Sequence, residues 1–301
     1  MAIVLGDNRY GKAETRLVYV DRGEAGSPDG EAGTAGGAHR LTDLSVSTTL
    51  AGDLAGTHLT GDNTGVLPTD SQKNTVFAFA RDGIGEIEDF ALRLARHFVD
   101  SQPAIRWARV CIEQYGWGRV AVAGRPQPYS FVRETGTRTT TVTYDGGWPY
   151  VVSGVADLVV LNTTGSRFTG FARDAYTTLA ETGDRILATA LAARWRHAEP
   201  ASDDWAGAHR ETVRHLLAGF AETNSRSLQQ TLYAMGERVL AHRAELAEIR
   251  LSLPNRHHIL VDLTPFGRDN PGMVFYAADR PYGLIEGTVL RDDAPPAGPA
   301  W

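Results

Sequence analysis

The sequence predicts an α+β fold in which an antiparallel sheet carries helices layered on one side. Three observations support this. β-type segments come in pairs around helical stretches, in the order strand, strand, helix, helix, strand, strand, and the order recurs in the second half of the chain. Ile87, Phe90, Ala91, Leu94 and Phe98 fall at the i, i+3, i+4, i+7, i+11 spacing of a helix with one apolar face. EIRLSLPN alternates Ile249, Leu251 and Leu253 against Arg250 and Ser252, as a strand with one buried face does. Such a sheet has exposed edges, and pairing of edges between halves or subunits closes it into a barrel.

In chain order, TRLVYVD and LTDLSVSTTL are the first strand pair. Between them RGEAGSPDGEAGTAGG, residues 22–37, is poor in core-forming side chains. It is expected to be a long mobile hairpin loop whose length costs little stability. The pattern turns helical after residue 68, then IRWARVCIEQY, RTTTVTY and LVVLN (158–162) read as strands. Residues from roughly 183 to 244 read as a helical region, followed by EIRLSLPN, HHILVDL and GLIEGTVLR as strands. The recurrence divides the chain into a first unit at 1–147, a second at 148–291, and a Pro-rich, flexible tail at 292–301. The halves share element order rather than residue identity.

Composition limits the function classes. The 301 residues are 42% hydrophobic, enough for a proper core. A net charge of -6 without any Lys/Arg block argues against nucleic acid as a partner. A single cysteine, Cys111, excludes an intramolecular disulfide and any site built on paired thiolates, so a reducing cytoplasm is the expected compartment. The first residues form too short an apolar run for a signal peptide, and no run approaches the roughly 20 apolar residues of a membrane span. The Ser-Lys-Leu peroxisomal ending is absent.

Candidate chemistry begins with charge. Lys plus Arg come to 30, yet only Lys12 and Lys73 are lysine. An amine can lose and regain a proton where a guanidinium cannot, so lysine can do acid-base work. Thr69 to Gln72 and Ser227 to Gln230 fit the capping box, and helix N-termini present unpaired N–H groups and partial positive charge to an anion. In LPNRHH (253–258) an extended backbone puts Asn255 and His257 on one face and His258 on the other, so the histidines cannot chelate one metal from a regular strand. Asn255 and His257 could hold a small polar ligand, pass a proton, or simply pair within a polar interface. SRFTGFARDAYTTLAETGDR (166–185) combines Phe168, Phe171 and Tyr176 with Arg173, Asp174, Asp184 and Arg185. That set suits either a planar anion or a core edge with a salt bridge.

Five motifs in order, NRYGKAETR, TDSQKNTVFAFA, FTGFARDAYTTLAETGDR, SLQQTLYAMGERVL and SLPNRHH, give the chain a resemblance to the urate oxidase (uricase) family across nearly its whole length. The resemblance implies tandem tunnelling-fold (T-fold) units and a homotetramer with active sites at subunit interfaces. It also implies oxidation of urate by molecular oxygen to 5-hydroxyisourate and hydrogen peroxide, with no flavin or metal cofactor. Carried over by position, Lys12, Thr69 and His257 form a proton relay in which Lys12 acts near its neutral form. Arg185 and Gln229 clamp the purine, Phe168 stacks on it, and the N–H groups of Asp70 and Leu228 complete the binding. Asn255 holds oxygen and then the attacking water. Lys73 is expected to support the helix start that presents Thr69 and Asp70. A metal- or glutamate-anchored pterin enzyme of the same fold and a silent purine-binding homologue are the alternatives.

Overall fold

The computed structural model describes residues 1–22 and 38–301. The expected mobile loop at 22–37 therefore lies almost wholly outside the described residues. The chain forms two compact units, one of residues 1–153 with 199–205 and 296–301, the other of residues 154–198 and 206–295.

The first unit contains β1 (Tyr10–Asp21), β2 (Arg40–Gly52), a short α1 (Ala55–Leu59), α2 (Thr69–Arg81), α3 (Ile87–Ser101), β3 (Ile105–Val122) and β4 (Arg125–Tyr144). Strands β1 to β4 lie side by side in sequence order, each antiparallel to the next. The stripe predicted for α3 is the face it buries: Ile87, Phe90, Ala91, Leu94 and Phe98 are fully enclosed against Leu44, Val46, Leu50, Val110 and Val142. Burying each large apolar side chain is worth about 1.5–3 kcal/mol, which seats α3 on the sheet more firmly than helix propensity can.

Strand β5 (Tyr150–Asn162) leads into the second unit, which holds β6 (Leu187–His197), α4 (Trp205–Glu222), α5 (Leu228–His242), β7 (Leu246–Leu260) and β8 (Phe275–Leu290). Its order is β5-β6-β7-β8, with β6–β7 and β7–β8 antiparallel. Leu187, Leu191 and Trp195 of β6 meet Leu228, Leu232 and Met235 of α5 and Ile249, Leu251 and Leu253 of β7 in a second core.

Strand β6 corrects the sequence reading, which made roughly 183–244 helical. LATALAARWRH is rich in Ala, Leu and Arg, all good helix formers, and most of its residues on both faces are buried. Burial on both faces removes the alternation by which a strand is recognised, and tertiary packing overrides propensity. With β6 in place the recurrence is complete, strand-strand-helix-helix-strand-strand in each half apart from the short α1. The C-terminal segment, expected to be mobile, is tied down. Arg109 donates from Nη2 to the carbonyls of Pro299 and Trp301 at 2.6 and 2.8 Å, and Ala300 is buried. Among the described residues no helix is long and apolar enough to cross a membrane.

Candidate active site

In the first unit Lys12, Thr69 and Asp70 are brought to neighbouring elements. Lys12 faces Thr48 across the β1–β2 ladder. The Thr48 hydroxyl donates to Gln72 Oε1 at 2.8 Å, so the strand beside Lys12 is fastened to the first turn of α2. Tyr10 donates from its hydroxyl to the Leu67 carbonyl at 3.0 Å, securing the approach to that helix, and burial pushes the phenol's pKa up.

The start of α2 differs from the expected capping box. Pro68 is the N-cap, with ψ of 142°, and Thr69 is the first helical residue. Gln72 turns its carboxamide to Thr48 and Leu67 instead of reaching back, because its position is fully buried against β2. The Gln72 N–H donates to the Pro68 carbonyl at 3.1 Å, so the Thr69 hydroxyl makes no hydrogen bond among the described residues, and the first-turn N–H groups of Thr69 and Asp70 have no carbonyl partner in the helix. Lys73 sits on Asp70 at 2.5 Å and Asn74 donates to the same carboxylate at 2.9 Å. Lys73, foremost, with Asn74 and Lys12 behind it, holds the Asp70 carboxyl below its usual range. The charge of Lys12 thus reaches the first turn of α2.

In the second unit Phe168 and Arg185 adjoin, with the guanidinium 5.2 Å over the ring centroid. Phe171 stacks on Phe168 at 4.9 Å and 12°, and Arg173 lies over Phe171. Burial lowers the pKa of Arg185. The Asp/Arg salt bridge left open by the sequence is not what holds this segment. Asp184 accepts from the Thr164 hydroxyl at 2.6 Å and from the Gly165 N–H at 2.9 Å, which lowers its pKa, and Asp174 accepts from Thr177 and the Tyr176 N–H.

The same segment is laced to the start of α5. Ser166 pairs with Ser225, Arg167 N–H donates to the Ser225 carbonyl at 2.8 Å, and the Thr231 hydroxyl donates to Ser225 Oγ at 2.9 Å. Here the capping residue is as predicted: Ser227 accepts from the Gln230 N–H at 3.1 Å, while Gln230 accepts from the Arg226 N–H. Leu228 is buried and Gln229 exposed, so one residue roots the helix start while the next projects outward. Asn255 and His257 lie two apart on β7, on the face that Leu251 and Leu253 bury in the second core. The register shift between them falls on β8, so β7 keeps its alternation and both side chains share that face.

Thr48, Tyr10 and Ser225, which organise these residues, are not singled out by the sequence, and Gln72 is singled out only as a capping residue. Their roles depend on register between elements, and only the pairing of Thr69 with Gln72 hinted at one of them. Among the described residues no group of three or more His, Cys, Asp or Glu is arranged to hold a metal ion.

The Uricase family model matches residues 8–143 and 151–286. This chain belongs to the uricase family. The uricase of Arthrobacter globiformis is 46% identical over 300 residues, covering 99% of this chain and 94% of that protein. That of Aspergillus flavus is 33% identical over 302 residues, covering 94% and 95%. The crystal structure of the Arthrobacter globiformis uricase has a TM-score of 0.91 at 45% identity, covering 100% of this chain and 99% of that one. Uricase is urate oxidase, an oxidoreductase, and family membership favours neither the pterin enzyme nor the silent purine binder.

Proposed function

We propose that this chain oxidises urate with molecular oxygen, without flavin or metal, and that Lys12, Thr69 and His257 move the protons. Family membership carries the reading, and the presence of Lys12, Thr69, His257, Phe168, Arg185 and Gln229, the residues to which the resemblance assigns relay and clamp, supports it. Urate gives two electrons and two protons to dioxygen, which leaves as hydrogen peroxide, and water adds to the oxidised ring carbon to give 5-hydroxyisourate. Deprotonating the urate anion makes it electron-rich enough to reduce oxygen, so the relay must accept a proton from the purine and deliver it onward. Lys12 suits this because an amine exchanges its proton, and the unengaged Thr69 hydroxyl can accept and donate at once.

Arg185 and Gln229 grip opposite edges of the purine, and the Phe168 ring supplies a stacking surface. The Arg185 guanidinium moves from above that ring to the purine edge, exchanging a cation–π contact for charge-assisted hydrogen bonds. The N–H groups of Asp70 and Leu228, each in a helical first turn, meet the anion where helix ends are positive. Asn255 holds oxygen and then water above the ring.

The clamp with His257 belongs to one unit and Lys12, Thr69 and Asp70 to the other. We place the complete site between copies in a cytoplasmic homotetramer. Exposed Val159, Leu161, Leu284, Ile259 and Leu260 in the second unit support an assembly that covers them. The test is an aerobic urate assay on protein stripped of metal and flavin. Urate and oxygen should disappear with matching formation of peroxide, and turnover that persists without oxygen would refute the oxidase reading.

A further inference from the structure

Thr189 stands on β6 directly opposite Asn255 of β7. It is fully buried at 0% exposure, and its hydroxyl has no hydrogen-bond partner. A buried hydroxyl left unpaired costs about 1–3 kcal/mol, and valine would fill the same space without that cost. Facing residues in an antiparallel pair bring their Cβ atoms to about 4.5–5.5 Å, within reach of a side-chain contact. Both residues lie on the face that Leu187, Leu191, Leu251 and Leu253 bury in the second core, and His257 extends the same face. The Asn255 carboxamide is half-buried and makes no hydrogen bond among the described residues. Two polar side chains without partners thus face each other beside the relay histidine.

We propose that Thr189 is a positioning residue for Asn255, its hydroxyl donating to Oδ1 of the carboxamide when the site is filled. A carboxamide has two nearly equivalent orientations, and a donor to its oxygen selects one. That choice directs the Nδ2 amino group at the oxygen or water held over the purine. The inference rests on the role given to Asn255 above.

Steady-state kinetics with urate and oxygen both varied test this, on the parent, Thr189→Val, Thr189→Ala and Thr189→Ser, each also combined with Asn255→Ala. Misaimed groups cost large factors in rate, so Val and Ala should lower kcat about tenfold or more and raise the KM for oxygen. The KM for urate should stay within about twofold, and Ser should recover most of the loss. In the Asn255→Ala background the Thr189 substitutions should change kcat by less than about twofold, the mark of a shared function. The melting temperature of the Val variant should be unchanged or higher, because the unpaired hydroxyl is gone. Parent kinetics in the Val and Ala variants, equal losses in Ser and Val, or a loss undiminished without Asn255 would each overturn the proposal. A parent protein that fails to oxidise urate would instead refute the functional reading, before any variant is compared.

Discussion

Lys12 is aimed by the backbone on both sides of it. Gly11 lies so close to β2 that an added Cβ would fall 1.8 Å from the Thr48 carbonyl oxygen, so only glycine permits this approach. Two residues after Lys12, Glu14 adopts φ of 54° and the ladder slips before Thr15. Bulges of this kind re-aim a side chain, and here the lysine lies between the tight contact and the slip. Replacing Lys12 by Met keeps the reach and removes the amine to which the proposed relay gives the proton. Turnover should fall about 10²–10⁴-fold, while an inert purine analogue binds within about threefold of the parent by calorimetry. Lys12→Arg should be as slow, since a guanidinium does not release its proton. Full activity in the Arg variant would remove Lys12 from the relay. Lys73, by contrast, is accounted for by its ion pair to Asp70 one helical turn away. The motif residues could be proposed from the chain alone because their chemistry is local. Thr48 and the role proposed for Thr189 could not, since each depends on what the sheet register sets beside it, and Gln72 was readable as a capping residue but not as the partner of Thr48.

At the scale of elements, α3 and the Ile249–Leu253 stretch of β7 were legible because each buries one face more deeply than the other and so keeps its periodicity visible. Strand β6 buries both, and its end carries a consequence for pH. His197, the last residue of β6, is buried, and burial, reinforced by Arg243, lowers its pKa to about 3 from an ordinary 6.5. Between those values the unfolded chain binds a proton that the folded chain refuses. Stability attributable to this group is therefore fully present above pH 6.5 and is lost as pH falls toward 3. The expected slope is at most about 1.4 kcal/mol per pH unit within that window. Urea unfolding of the parent and of His197→Gln from pH 7 to 4.5 measures it. The parent should lose stability more steeply on acidification, and parallel profiles would show that His197 takes up its proton while folded.

At the scale of the whole molecule, the repeated element order was visible in the sequence, and the two compact units place Lys12, Thr69 and Asp70 in one and Phe168, Arg185, Gln229 and His257 in the other. The proposed tetramer turns that division into a prediction about mixed assemblies. Lys12→Met disables the contribution of the first unit and Arg185→Gln that of the second, so each variant alone should be nearly inactive. Suppose the two are unfolded together in equal amounts and refolded, so that copies associate at random. A site built from the first unit of one copy and the second unit of another then receives two intact contributions in about one case in four, by the symmetry of a homo-oligomer. The mixture should recover about a quarter of the parent's urate-oxidising activity, whereas mixing the variants without refolding should recover none. A site complete within one chain gives the opposite result, because every chain in the mixture carries a defect and no rearrangement of copies repairs it. Recovery near a quarter, together with a tetramer mass by light scattering, supports the interface site; a refolded mixture as inactive as its parts would place the whole site within a single copy.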